Sequence, residues 1–160
     1  MPRSRLPSAG ILLFRLRAGA PEFLIVHPGG PLWSKKDTGA WSIPKGEYRP
    51  DDDPLEAARR EFTEETGFPV PDGPLIELGD VTLKSGKVVT GYALEGDVDE
   101  KAIVSNKFEL EWPPRSGRTQ SFPEVDKAMW ATFAAARRKL NPAQAEFLIR
   151  LLSVELPSSN

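Results

Sequence analysis

Glu61, Glu64 and Glu65 stand at i, i+3 and i+4, a spacing that puts three carboxylates on one helical face. Left alone they repel one another. Near the C-terminal end of a helix they also meet the negative pole of its dipole, each effect costing roughly a few tenths of a kcal/mol. A hard divalent cation reverses that sign. Magnesium or manganese takes oxygen ligands and keeps waters in its remaining positions. The chemistry in view is a metal platform.

That platform needs a helix, and the sequence punctuates one. Asp53 is a good N-cap, Pro54 suits the first helical position, and Glu56 stands where it closes a capping box. Asp51, Asp52 and Asp53 favour the positive pole. Gly67 supplies the left-handed cap, so a helix is expected over residues 54–66. Leu55, Ala58 and Phe62 form its core stripe, on a face other than that of the acids.

The surrounding elements are read from alternation and turn residues. Strands are expected over 9–16 and 22–26, joined by a hairpin turn at Ala18-Gly19-Ala20-Pro21. Residues 27–31 (HPGGP) read as a loop, and 41–43 as a short apolar stretch running into Pro44-Lys45-Gly46. Residues 75–83 and 88–94 read as strands around the 84–87 turn. Residues 105–123 read as a polar, proline-bearing segment with a brief alternation at Phe108, Leu110 and Trp112. A strand over 128–133 and a helix over 134–140 follow. Asn141 is expected to cap a last helix reaching Val154, with Gln144 closing its capping box. The LPSSN tail is expected to fray. The result is one α/β domain over residues 1–160, a mixed sheet with helices packed on it.

Composition narrows the classes. The chain has 160 residues, 39% of them hydrophobic and 28% charged, which is enough for one packed domain. A net charge of −2 argues against binding a nucleic-acid polymer, because no global basic field gathers phosphates. With no cysteine there is no disulfide framework, thiolate nucleophile or cysteine zinc site, which fits a cytoplasmic protein. The apolar run 9–14 is too short for a signal peptide or a membrane span. A small-molecule ligand and a monomer or homodimer are expected.

Residues 46–68 resemble the box of the Nudix hydrolase family (MutT-like), G-x5-E-x7-R-E-U-x-E-E-x-G-U with U apolar. Gly46, Arg60, Glu61, Phe62, Glu64, Glu65, Gly67 and Phe68 meet it. Asp52 stands in the first Glu position, one methylene shorter. The resemblance implies a Nudix α/β/α sandwich and a pyrophosphohydrolase cleaving a nucleoside diphosphate linked to another moiety, with Mg2+ or Mn2+ as cofactor. It implies Glu61, Glu64, Glu65 and the Lys45 carbonyl as metal ligands. Glu61 or a distal acid then orients or deprotonates the attacking water. Glu124 is the favoured distal acid, with Glu109 and Glu111 as rivals. Arg60 is implied as a box arginine held by the acid at position 52.

The substrate is read from the lead-in. Trp41-Ser42-Ile43-Pro44-Lys45-Gly46 resembles the W-x-x-P-K-G of members acting on diadenosine polyphosphates, inositol pyrophosphates or oxidised nucleotides. Diadenosine tetraphosphate is the first choice and oxidised nucleoside triphosphates the second; inositol pyrophosphate would need a more basic pocket. A third reading is a binding or regulatory module without turnover, against which the retained, self-repelling acids argue. Candidate substrate contacts are Lys45, Arg115 and Arg118 for phosphates, with Lys35 and Lys36 as further cations, and Trp33 or Tyr92 for a base. Each has a plainer reading: the arginines as surface residues, the tryptophans 33, 41, 112 and 130 as packing, and His27 as a surface or hydrogen-bonding loop residue.

Overall fold

The computed structural model describes residues 6–154; the LPSSN tail lies outside them. β1 (Ser8–Arg17) and β2 (Ala20–Pro28) pair antiparallel only from Phe14 opposite Phe23 to Arg17 opposite Ala20. Their turn places Ala18 at φ 51° and Gly19 at φ 80°, the positive pair that a tight two-residue hairpin demands. Before Phe14 the strands part, and residues 41–47 enter the gap. Val26 and Ser42 exchange backbone hydrogen bonds of 2.9 and 2.8 Å, and the Ile11 N–H donates to the Pro44 carbonyl at 3.1 Å. β3 (Lys45–Glu47) then pairs antiparallel with β1, Gly10 opposite Lys45. A Cβ at Gly10 would stand 2.7 Å from that of Lys45, so only glycine admits this approach.

α1 (Pro54–Thr66) begins where the sequence places it. The Asp53 carboxylate accepts the Leu55 N–H at 3.3 Å. It ends at Gly67, φ 80°, whose N–H donates to the Thr63 carbonyl at 2.8 Å. β4 (Ile76–Thr82) and β5 (Val88–Glu95) form the expected hairpin, and β5 runs parallel to β1. β6 (Lys107–Glu111) and β7 (Thr119–Pro123) pair only with each other. β8 (Val125–Thr132) lies antiparallel to β2. α2 (Phe133–Lys139) and α3 (Ala145–Ser153) close the described chain.

The main sheet has the order β4-β5-β1-β2-β8, with β3 added on β1. Both faces of β1 are covered, which is why its apolar run is unbroken. Ile11 and Leu13 meet Ala58 and Phe62 of α1 on one side. Leu12 and Phe14 meet Phe147, Leu148 and Leu151 of α3 in the cluster on the other. This is the α/β/α sandwich. No helix among the described residues is long and apolar enough to cross a membrane.

Five expectations change. Residues 105–123 are not irregular throughout but hold the β6–β7 hairpin, of which only the first strand alternates, at Phe108 and Leu110. β8 starts at Val125, ahead of 128, because the charged pair Asp126-Lys127 hides its first residues. Asn141 does not cap α3: its Oδ1 accepts the Ala143 N–H at 3.1 Å in a turn ahead of the helix, which begins only at Ala145 with Gln144 in the N-cap position. Gln144 closes no capping box. Its buried amide accepts the Ile43 N–H at 2.9 Å and donates to Ser42 Oγ at 3.1 Å, bolting α3 to the 41–43 segment. His27 is hydrogen-bonded as expected but lies in β2, 1% exposed, rather than in a surface loop.

Candidate functional site

Three segments converge where β1 and β2 splay. The last two turns of α1 carry Glu61, Glu64 and Glu65, β3 brings Lys45 and Gly46, and Glu124 precedes β8. Carboxylate oxygens of Glu61, Glu65 and Glu124 lie within 4.8 Å of one another. Gly46 has no positive φ; it is glycine for space, since a Cβ there would fall on the Glu61 carboxyl group. The Lys45 N–H donates to Glu65 Oε1 at 3.2 Å and fixes that side chain.

A strut sets the spacing between the helix acids and Glu124. The Asn106 N–H donates to the Glu64 carbonyl at 2.8 Å, and the Val104 N–H to that of Thr66 at 2.9 Å. These bonds satisfy carbonyls that the end of α1 would otherwise leave open. The Asn106 carbonyl in turn accepts the Glu124 N–H at 2.8 Å, and the Glu124 carbonyl accepts the Gly29 N–H at 2.9 Å. The backbone of Glu124 is thus held from both sides. Sequence reading missed this strut, because it is made of main-chain groups in a segment without periodicity.

The electrostatics mark the same spot. Burial pushes the Glu65 carboxyl up to about 8, with the nearby Glu61 adding to the rise against the Lys45 N–H. Burial raises Glu61 and Glu124 also, and the charge of Glu64 raises both further. Lys45 is lowered by burial, then by Lys87. Partly buried carboxylates crowded without enough cations either hold protons or take a metal. Their hard oxygen donors suit a divalent cation.

Glu64 sits beside the cluster, with Oε1 4.0 Å from Arg60 Nε. Arg60 also lies 3.7 Å from Glu61 and is half exposed. The implied Asp52–Arg60 contact is corrected: the Asp52 carboxylate accepts the Arg49 N–H at 3.1 Å, and Arg60 pairs with the helix acids instead.

A space of about 120 Å³ opens at Lys45, Glu65 and Glu124. A cavity of about 330 Å³, walled by Trp33, Phe108 and Leu110, shares Glu124 with it. Another of about 390 Å³, with Trp41, Lys84 and Asn141 in its walls, shares Lys45. Trp33 lines both flanking cavities and is 40% exposed, which sets it apart from the buried Trp41. Tyr92 packs in the cluster beneath α1, away from these spaces. Arg115 and Arg118 lie between β6 and β7, exposed, and line none of the three cavities; their backbone N–H groups donate to Glu111 Oε1 and Ser116 Oγ. Glu109 and Glu111 sit on the exposed face of β6, apart from the acidic cluster. Lys35 is exposed, and the Lys36 ammonium lies 5.0 Å from the centroid of the Trp33 ring. Phe108, Leu110, Ser42 and Lys84 were not read as site residues from sequence; only the fold brings them to the cleft.

Comparison with known proteins agrees with this architecture. The family model described as NUDIX domain matches residues 4–151. No curated protein matches the chain. Among solved structures, a C. elegans Ap4A hydrolase in a binary complex is 20% identical with a TM-score of 0.60, covering 91% of this chain and 96% of that one. The NUDIX domain of Shewanella oneidensis NrtR, complexed with ADP ribose, is 15% identical with a TM-score of 0.62, covering 95% and 91%. A MutT protein from Methanosarcina mazei Go1 is 21% identical with a TM-score of 0.56, covering 94% of each chain. At such identities the likeness speaks for the fold. The match across most of the chain, with the box glycine seated on the Glu61 carboxyl, speaks for more: the chain belongs to the NUDIX domain family and is a hydrolase acting on phosphoanhydride bonds.

Proposed function

We propose that this hydrolase is magnesium- or manganese-dependent and cleaves a nucleoside diphosphate linked to a second moiety, with dinucleoside polyphosphates such as diadenosine tetraphosphate as its substrate class. One observation carries the reading: the space at Glu65, Glu124 and Lys45 shares Glu124 with a cavity of about 330 Å³ and Lys45 with another of about 390 Å³. A substrate with a nucleoside at each end of a phosphate chain has a use for both.

In this reading Glu61, Glu65 and Glu124 hold the cation, joined by the Lys45 carbonyl, and Glu64 completes the acidic set. A bound divalent ion supplies neutralisation of charge on the phosphate oxygens around the cleaved bond. Glu61 orients the attacking water and accepts its proton. Glu124 is the second candidate for this role. The Lys45 ammonium, disfavoured by burial, is favoured again beside an anionic phosphate. Arg60 steadies Glu61 and Glu64 from the solvent side.

The test is product analysis in 18O-labelled water on a panel of nucleotides, with magnesium, manganese or chelator. Metal-dependent turnover of dinucleoside polyphosphates, with label on one product only, is expected. Turnover confined to oxidised nucleoside triphosphates, with release of pyrophosphate, would favour the second reading, which the apolar walls of a single arm support. No turnover of any nucleotide with either metal would overturn both.

A further inference from the structure

We infer that the β6–β7 hairpin walls a base-binding arm, in which Phe108, Leu110 and Trp33 seat the nucleobase of a nucleotide whose phosphates reach the acidic centre, an assignment that rests on the phosphate-cleaving reading above. The hairpin stands outside the layers of the sandwich; β6 and β7 pair only with each other. Two isolated strands are marginal in water, so their apolar face needs a partner. On β6 that face is Phe108 and Leu110, half-buried between the exposed Lys107, Glu109 and Glu111.

The partner is the loop after β2, and it is shaped for the contact. A Cβ at Gly30 would stand 2.8 Å from Phe108 Cζ, and one at Gly29 would collide with the Pro123 carbonyl. Two successive glycines thus let the hairpin approach the main chain. Phe108 packs against Phe122 with ring centroids 6.0 Å apart, which supports the ring from behind. The cavity of about 330 Å³ then lies between Phe108 and Leu110 on one side and Leu32 and Trp33 on the other. Glu124 ends it, so anything seated there abuts the acidic centre.

The loop bearing Trp33 is held in place before any ligand arrives. His27 Nε2 lies 2.6 Å from the Lys36 carbonyl, and its Nδ1 lies 2.9 Å from Asp126. Asp37 accepts the Trp41 indole N–H at 2.7 Å and the Lys139 ammonium at 2.9 Å. An exposed indole on an anchored loop is a stacking surface with little ordering left to lose. Apart from the indole N–H of Trp33 and the carboxylate of Glu124, the lining side chains carry no hydrogen-bonding group. Stacking without edge recognition tolerates different bases, because every base has a π-face. Adenine and guanine nucleotides should therefore bind within a few-fold of each other.

The test is calorimetric titration of the full chain with ADP, GDP and inorganic pyrophosphate in magnesium buffer. Phe108→Leu, which keeps volume and removes the plane, and Trp33→Ala, at an exposed position, should each weaken ADP on the order of tenfold. Pyrophosphate binding should not move, and Trp33→Phe should restore ADP. Equal losses for ADP and pyrophosphate, or no loss in either variant, would overturn the arm. If no nucleotide is hydrolysed but the losses remain selective for ADP, the arm stands and the cleavage reading falls. Hydrolysis with ADP binding indifferent to both variants sinks the arm alone.

Discussion

Gly46 shows how one missing side chain sets the geometry of the acidic cluster. Its space is filled by the far end of Glu61, a flexible group rather than a fixed backbone. Gly46→Ala should therefore fold, with a melting temperature close to the parent's, while pushing Glu61 off the cluster. A displacement of about 1 Å costs on the order of 100-fold in turnover; a loss of that size in kcat at unchanged stability checks the placement. Glu64 offers a contrasting test. If it ligates the cation, Glu64→Gln should weaken magnesium binding as strongly as Glu65→Gln does. If it acts only through its charge on Glu61 and Glu124, it should weaken magnesium less than Glu65→Gln, read from magnesium titrations of turnover. The box acids were legible because three like charges on one helical face repel until a cation joins them. Glu124 was favoured over Glu109 and Glu111 only through the family resemblance, since choosing it from the residues depends on which acids fold toward α1. Tyr92 was misplaced as a base contact because a strand aromatic looks the same from sequence whether it faces a pocket or a helix.

At the scale of elements, the site depends on how segments without regular structure are fastened. α1 was legible to the residue because cap, proline, core stripe and terminal glycine agree. The strut over 104–106 and the wedge over 41–47 were not, since both work through main-chain hydrogen bonds. Gln144 is the side chain on which the wedge leans. Gln144→Ala strands the buried Ile43 N–H, and an unsatisfied buried donor costs about 1–3 kcal/mol. Urea unfolding should show a loss in that range, and kcat should fall with it, because Lys45 and Gly46 follow directly from the loosened segment. A stability loss with kcat unchanged would mean that β3 is held by its pairing with β1 alone. The β6–β7 hairpin escaped reading for a related reason: its second strand, TQSFP, shows one apolar residue facing inward and no alternation.

The whole molecule combines a sandwich buried on both sheet faces with a cluster of charges that its own burial disfavours. Glu65 carries the largest shift, up to about 8 from an ordinary 4.5, and Glu61 and Glu124 shift the same way. The sign follows from linkage. A carboxyl whose folded pKa is raised binds its proton more tightly in the native state than in the unfolded chain. Its contribution to stability is full below about 4.5 and is lost as pH climbs toward about 8. The metal-free protein should therefore lose stability across that window as these carboxylates ionise against one another. A divalent cation binds their ionised forms, competes with the protons, and so binds more tightly as pH rises. By mass action the stabilisation it confers grows with affinity. The gap in melting temperature between magnesium-loaded and chelated protein should widen from pH 5 to pH 8. Glu65→Gln should flatten the metal-free profile and close most of the gap. A metal-free protein whose stability is level or rising over that range would show that these acids do not share one crowded, partly buried space.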